Sequence, residues 1–318
     1  MLRVHGRSIA WLLPAVFALA LARAAPAGLP AGAAAAPGAA EGASGASTAQ
    51  LPQFDAATSL LVVAPHPDDE TLCCAGVIQR IVHAGGHASV VWITSGDASL
   101  LDLLLVEKSV LRSAAKLRDL AARRMREARA AATLLGVADS GQLFLGYPDR
   151  GLLGLLTDHP DAVHTSHFTA AAAVPYPDAL YPGHAYTGAS LERDFAAVLE
   201  RVHPTLVLAP SPRDSHADHR AAGLLTLRLM ARRGELPAVR CWIVHGGEGW
   251  PSPRELSPGL PLTRPPLLSG VPLAPFELTP AEEDLKLAAV RAYPTQLTTL
   301  APFLLAFVRT TESFAAAQ

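Results

Sequence analysis

Two short clusters of acids and histidines stand about 150 residues apart, Pro65-His66-Pro67-Asp68-Asp69-Glu70 and His216-Ala217-Asp218-His219. Imidazole nitrogens and carboxylate oxygens are the donor atoms of a catalytic zinc site, where three protein ligands leave one position open. His66 and Asp69 are three residues apart, so both side chains can turn to one point. A histidine of the second cluster then completes a set of two histidines and one carboxylate. Asp68 adjoins a ligand without being needed as one, which suits it to take a proton from water. The remaining histidine of the second cluster is free to stabilise an oxyanion or protonate a leaving amine, and Asp218 is placed to fix its tautomer. These residues together read as a metal-dependent hydrolase. The blander reading is that Asp68 or Asp69 merely caps a following helix, and Glu70 complements its dipole.

Each cluster directly follows a short apolar run, Leu60-Leu61-Val62-Val63-Ala64 and Leu206-Val207-Leu208-Ala209. Such runs read as buried parallel strands, and open α/β sheets gather functional groups at the carboxyl ends of their strands. From Thr58 onward strand-like and helix-like stretches alternate. Strands are expected at 60–64, 88–94, 142–145, 205–209 and 238–244. Helices are expected at about 71–84, through Leu117 to Leu135, after a cap at Ser190, and at 219–232. Thr279-Pro280-Ala281-Glu282 reads as a capping-box helix start. The pattern predicts an α/β fold, a Rossmann-like and mostly parallel sheet with helices on both faces. No G-x-G-x-x-G fingerprint is present, which argues against a dinucleotide. Segment 152–188 has no clear period and many His, Pro and Tyr residues, and is expected to line or cover the site. The proline-crowded stretch 251–278 is expected to be an extended surface loop.

The N-terminus has a layout of its own. Arg3, His5 and Arg7 precede an apolar stretch from Ile9 to Ala22, and Ala22-Arg23-Ala24 gives an A-x-A pattern. That is the design of a cleavable signal peptide, 1–25, and it predicts a secreted or periplasmic protein with no stable membrane span after cleavage. Residues 26–50, nearly all Ala, Gly, Pro, Ser and Thr, read as a disordered linker. The remainder, 51–318, is long enough for one large domain. Removing the three arginines of the signal region leaves 23 basic against 28 acidic residues. With no basic stripe, nucleic acid is excluded as a partner. Three cysteines form no disulfide framework. Cys73 and Cys74 read as small buried packing residues, since adjacent cysteines rarely bond and at most one bridge to Cys241 is plausible. His83, His87 and His203 read as surface or capping residues, and the His159, His164, His167 and His184 group as loop residues.

Taken with several weaker motifs, the two clusters resemble the PIG-L/LmbE family of zinc-dependent N-acetylglucosaminyl deacetylases. Ser95-Gly96-Asp97, Arg124 and Glu127 in an R-x-x-E helix, Leu145-Gly146-Tyr147-Pro148-Asp149, Lys286, and Tyr293-Pro294-Thr295-Gln296 follow in the family's order. The resemblance implies an LmbE-like domain with one Zn2+ held by His66, Asp69 and His219. It implies Asp68 as the base, His216 as the electrostatic or acid catalyst held by Asp218, and Asp97, Arg124 and Asp149 as substrate-binding positions. The implied partner is an N-acylated amino sugar or glycoconjugate. Where some members carry a tyrosine two residues before the second motif, this chain has Asp214. Two alternatives stay open: a metal-dependent hydrolase of another N-acyl or ester substrate, and a non-catalytic carbohydrate-binding relative. Retention of Asp68 and all three ligands counts against the second.

Overall fold

The computed structural model describes residues 49–98 and 113–317. Residues 1–25, expected to be a signal peptide, and residues 26–48 of the expected linker lie outside the described residues. Within them, no helix is long and apolar enough to cross a membrane.

Seven strands form one sheet in the order β3-β2-β1-β4-β5-β7-β6. β1 (Ser59–Ala64), β2 (His87–Thr94), β3 (Gln142–Tyr147), β4 (Leu206–Pro210) and β5 (Val239–Trp242) run parallel. The central strand β1 pairs with β2 on one side and β4 on the other, Val62 lying opposite both Val90 and Leu208. Leu60 through Ala64 are wholly buried, the unbroken apolar run that a strand covered on both faces requires. β6 (Leu273–Glu277) and β7 (Thr311–Ala316) complete the sheet antiparallel. β6 lies within the stretch expected to be loop. Pro275 and the weak burial of that strand hid it, and both are tolerated because it is the sheet's edge.

The helices are α1 (Asp69–His83), α2 (Ala114–Leu134), α3 (Leu152–Thr157), α4 (Gly188–Val202), α5 (Ala217–Arg232), α6 (Pro280–Arg291) and α7 (Pro294–Leu305). α1 and α5 begin two residues earlier than expected, which draws Asp69, Glu70, Asp218 and His219 into first helical turns. The cap of α4 is Thr187, whose side chain accepts from the Ser190 amide. The capping box of α6 forms as expected, between Thr279 and Glu282.

A buried ion pair packs against the backbone of α1. The Glu312 carboxylate on β7 accepts from the Gly76 and Val77 amides at 2.9 and 3.2 Å. The Lys286 ammonium on α6 donates to the Leu72 carbonyl at 2.9 Å and to Glu312 at 2.8 Å. In a regular helix Gly76 N–H would serve Leu72 C=O. Here the carboxylate also meets that amide and the ammonium also meets that carbonyl. The same turn carries Cys73 and Cys74, which are joined by a disulfide, while Cys241 is free and buried. This corrects the reading of the pair as unbonded packing residues.

Candidate metal and catalytic site

The carboxyl ends of β1 and β4, adjacent in the sheet, deliver the two clusters to one cavity of about 210 Å³. His66 Nδ1, Asp69 Oδ2 and His219 Nε2 form a nearly equilateral triangle, with separations of 3.2, 3.3 and 3.4 Å. Bonds of about 2.0–2.1 Å in a tetrahedral arrangement place donor atoms about 3.3–3.4 Å apart. The triangle therefore fits a tetrahedral cation with its fourth vertex open. Two further groups sharing His66, namely His66/His216/His219 and His66/Asp149/Asp218, also have metal-binding proximity. In the first triangle all three edges match the tetrahedral spacing.

Each ligand is held from behind. Asp69 Oδ2 accepts the His66 amide at 2.8 Å, closing the loop onto itself. His66 Nε2 lies 3.2 Å from Asp218 Oδ2 and 3.3 Å from Asp149 Oδ1. His219 Nδ1 lies 3.1 Å from Asp214 Oδ2. Outer carboxylates of this kind fix the ring tautomer of a metal-binding histidine. Burial opposes charge on both rings. The carboxylates of Asp149, Asp218 and Asp69 nevertheless hold His66 well above its ordinary pKa, and Asp69 and Asp214 lift His219 to about 9.

Asp68 occupies the N-cap position of α1 with φ 122° and makes no side-chain cap bond. The capping role considered from sequence is therefore not what the aspartate does. Its backbone sits in a region that disfavours a side chain, a strain kept where surroundings enforce it. Gln296, wholly buried on α7, donates to Asp68 Oδ2 and to the Pro67 carbonyl. Burial, then the neighbouring Asp69 carboxylate, raises the Asp68 pKa well above the usual range, while Arg124 and His66 work against that rise.

His216 caps α5, its Nδ1 accepting from the Asp218 amide at 3.3 Å. The neutral ring then carries its proton on Nε2. Burial, then the charge of His66, lowers its pKa to about 3. The expectation that the Asp218 carboxylate steadies His216 needs correction, because the amide does so. The carboxylate accepts from the Arg150 and Leu152 amides and faces His66. Starting α5 two residues early is what turns it away.

Arg124 and Asp149 line the cavity, whereas Asp97 does not. Asp97 is wholly buried behind the wall, accepting from Tyr176 Oη at 2.7 Å and the Asp149 amide at 3.1 Å. It holds the backbone of Asp149, which does line the cavity. Burial, then Asp149, raises its pKa to about 7. Arg124 Nη1 donates to the Gly96 carbonyl at 2.7 Å, and its buried Nε has no partner. Gly96 has φ 68°, and a Cβ there would stand 2.6 Å from the guanidinium. Segment 152–188 likewise supports from behind: Tyr176 braces Asp97, and none of its residues lines the cavity.

Glu70 is wholly buried and accepts from Thr71, Trp92 and Tyr293, so it is a bracket more than a dipole partner. Thr295 similarly donates to Glu127. Four cavity residues, two just past β5 and two in the later part of α7, were not singled out as site residues in the sequence. Val244, His245, Leu300 and Phe303 form the other flank of the cavity. The signal for His245 was available, a histidine just past a buried strand, as in both clusters. Asp214 was noted only as a departure, yet its carboxylate joins His219 to the amides of His216, Val244 and His245.

Residues 61–230 match the profile of the PIG-L family, described as GlcNAc-PI de-N-acetylase. A 1D-myo-inositol 2-acetamido-2-deoxy-alpha-D-glucopyranoside deacetylase of Geodermatophilus obscurus is 29% identical over 77% of this chain and 84% of its own length. Enzymes of the same description from Salinispora arenicola and Thermobifida fusca are 35% and 27% identical. Those two matches span 37% and 55% of the relatives' length, and 36% and 55% of this chain. Among solved structures, the N,N'-diacetylchitobiose deacetylase of Pyrococcus horikoshii superimposes with a TM-score of 0.50, at 20% identity over 81% of this chain and 83% of that one. A triple mutant of a deacetylase of the teicoplanin biosynthetic pathway gives 0.53, at 17% identity over 81% and 97%. These structural likenesses concern the fold.

Proposed function

The chain belongs to the PIG-L family, and on that premise we propose that it is an exported, zinc-dependent deacetylase removing an N-acetyl group from an amino sugar or its conjugate. The observation carrying this reading is the donor triangle of His66, Asp69 and His219 with Asp68 and His216 at the same cavity. Curated relatives named for an N-acetylated glucosaminide support the substrate class. Zinc suits the donor set, two imidazoles and one carboxylate with an open vertex.

A bound divalent cation supplies Lewis acidity toward a carbonyl oxygen and lowers the pKa of water. The protein's own groups do the rest. Asp68 accepts a proton from the attacking water. Gln296 holds its Oδ2, which leaves Oδ1 for that task. The raised pKa makes it a stronger base than an ordinary carboxylate and a competent acid afterwards, when the amine needs a proton. His216, neutral with its proton on Nε2, donates to the oxygen on which charge develops. Arg124 and Asp149 line the cavity as substrate-binding groups on the β2–β3 flank.

Purified protein is tested by metal analysis and by amine release from N-acetylated glycans, before and after chelation. Zinc near one per chain, with activity lost on chelation and restored by zinc, is the expected result. Metal-independent release, or release from esters alone, overturns the reading. Export rests on residues 1–25 and is checked by N-terminal sequencing. A mature start near Ala25 is expected, and an intact Met1 on protein in the cytoplasm refutes it.

A further inference from the structure

Resting on the amino-sugar reading, we infer that His245 is a further substrate-contacting residue, hydrogen-bonding a hydroxyl of the pyranose on the flank opposite Arg124 and Asp149. In the sheet order, β2 and β3 stand on one side of β1, while β4 and β5 stand on the other. Arg124 and Asp149 serve the first flank. His245 lies three residues past the end of β5 and lines the same cavity on the second.

Its position is fixed at both backbone ends. The His245 amide donates to Asp214 Oδ2 at 3.1 Å. Its carbonyl accepts from the Ser215 amide at 3.2 Å and from Ser215 Oγ at 3.0 Å. The ring is stacked on Phe303, with centroids 5.6 Å apart and planes at 13°, and packs on His216 at 5.1 Å. Through Asp214 it shares one carboxylate with the ligand His219. Among the described residues neither ring nitrogen has a hydrogen-bond partner. A ring clamped this firmly, with donor and acceptor unused beside the reacting centre, is built to meet a ligand. The remaining members of its flank, Val244, Leu300 and Phe303, offer no polar atom from a side chain. With His216, which follows β4, assigned to the oxygen of the acetyl group, His245 is the remaining group on that side that can read a hydroxyl.

His245→Phe keeps the aromatic stack and removes both nitrogens, and His245→Gln keeps hydrogen-bonding capacity without the ring. Both are assayed with N-acetylglucosamine and its 3-, 4- and 6-deoxy analogues, alongside zinc content and thermal stability. His245→Phe should lose kcat/KM on the order of 10-fold, the size of one neutral hydrogen bond, mostly in KM and with zinc retained. Glutamine should restore part of the loss. Against one deoxy analogue, wild type and His245→Phe should become equal. Equal losses on every analogue, no loss at all, or loss of zinc in the phenylalanine variant each overturn the inference and leave the deacetylase reading intact. If wild-type protein releases amine from no N-acetylated sugar, that reading itself fails and this inference falls with it.

Discussion

Replacing the adjacent aspartates one at a time separates a base from a ligand. Gln296 donates to Asp68 Oδ2, and in Asp68→Asn the amide oxygen can turn to keep that bond, so the loop holds its shape. The amide nitrogen then faces the cavity and accepts no proton. Loss of a general base costs on the order of 10²–10⁴-fold in rate, or about 2.7–5.4 kcal/mol of barrier. Asp69 Oδ2 faces His66 Nδ1 at 3.4 Å and His219 Nε2 at 3.3 Å, and accepts the His66 amide at 2.8 Å. An asparagine oxygen preserves only the amide bond. The negative charge between two imidazoles disappears, and metal affinity should fall by on the order of 10²-fold or more, beyond the 10–100-fold typical of outer partners. Zinc content and amine release are measured side by side. Asp68→Asn should retain zinc without turnover, and Asp69→Asn should lose both. An Asp68→Asn protein without metal, beside an Asp69→Asn protein with metal and activity, would refute the assignment.

Three other outcomes are expected. The base is active when ionised, so kcat/KM falls as pH drops through the raised pKa of Asp68. Gln296→Leu removes a hydrogen bond to the charged form, raises that pKa further and moves the acid limb to higher pH; an unmoved limb in pH–rate profiles contradicts this. Lys286→Met strips a buried ammonium from Glu312 and the Leu72 carbonyl. Breaking such a pair costs about 3–5 kcal/mol, or roughly 6–20 °C of melting temperature at about 2–4 °C per kcal/mol. A shift below about 2 °C in calorimetry refutes it. Asp214→Asn weakens the hold on His219 Nδ1 and should lower zinc affinity about 10–100-fold in chelator competition, whereas unchanged affinity would make Asp214 only a backbone clamp.

What was legible in the sequence was whatever lies close along the chain. The runs 60–64 and 206–209 announce strands because burial on both faces leaves no room for polar residues. The clusters follow them directly, so the convergence of His66, Asp69 and His219 could be expected from sheet topology. Asp97 and Asp218 read as site residues by position, but the partners of their carboxylates were not legible: Asp97 meets Tyr176, and Asp218 meets His66 and not His216. Which partner a carboxylate finds depends on residues 50 to 150 positions away, such as Tyr176 for Asp97 and His66 for Asp218. β6 and β7 were hidden because neither carries the unbroken apolar run of the central parallel strands. His245 and Phe303 escaped because a wall residue carries no spacing signature until its strand or helix is placed.

The ion pair set into α1 also ties the assembly of the site to chain order. Val77 and its acceptor Glu312 are separated by 235 residues, and Gln296 lies 228 from Asp68. The family match ends at residue 230, so an N-terminal fragment of that length contains every proposed ligand but none of Lys286, Tyr293, Gln296 and Glu312. Trp92 can hold Glu70 early, but Tyr293 and Gln296 at the start of α1, and Lys286 and Glu312 at its next turn, come only after nearly the whole polypeptide has been made. Long-range closures of this kind form late and slowly. A chain truncated at residue 230 therefore carries His66, Asp68, Asp69, His216 and His219 without the buried groups that hold the start of α1 from the C-terminal side.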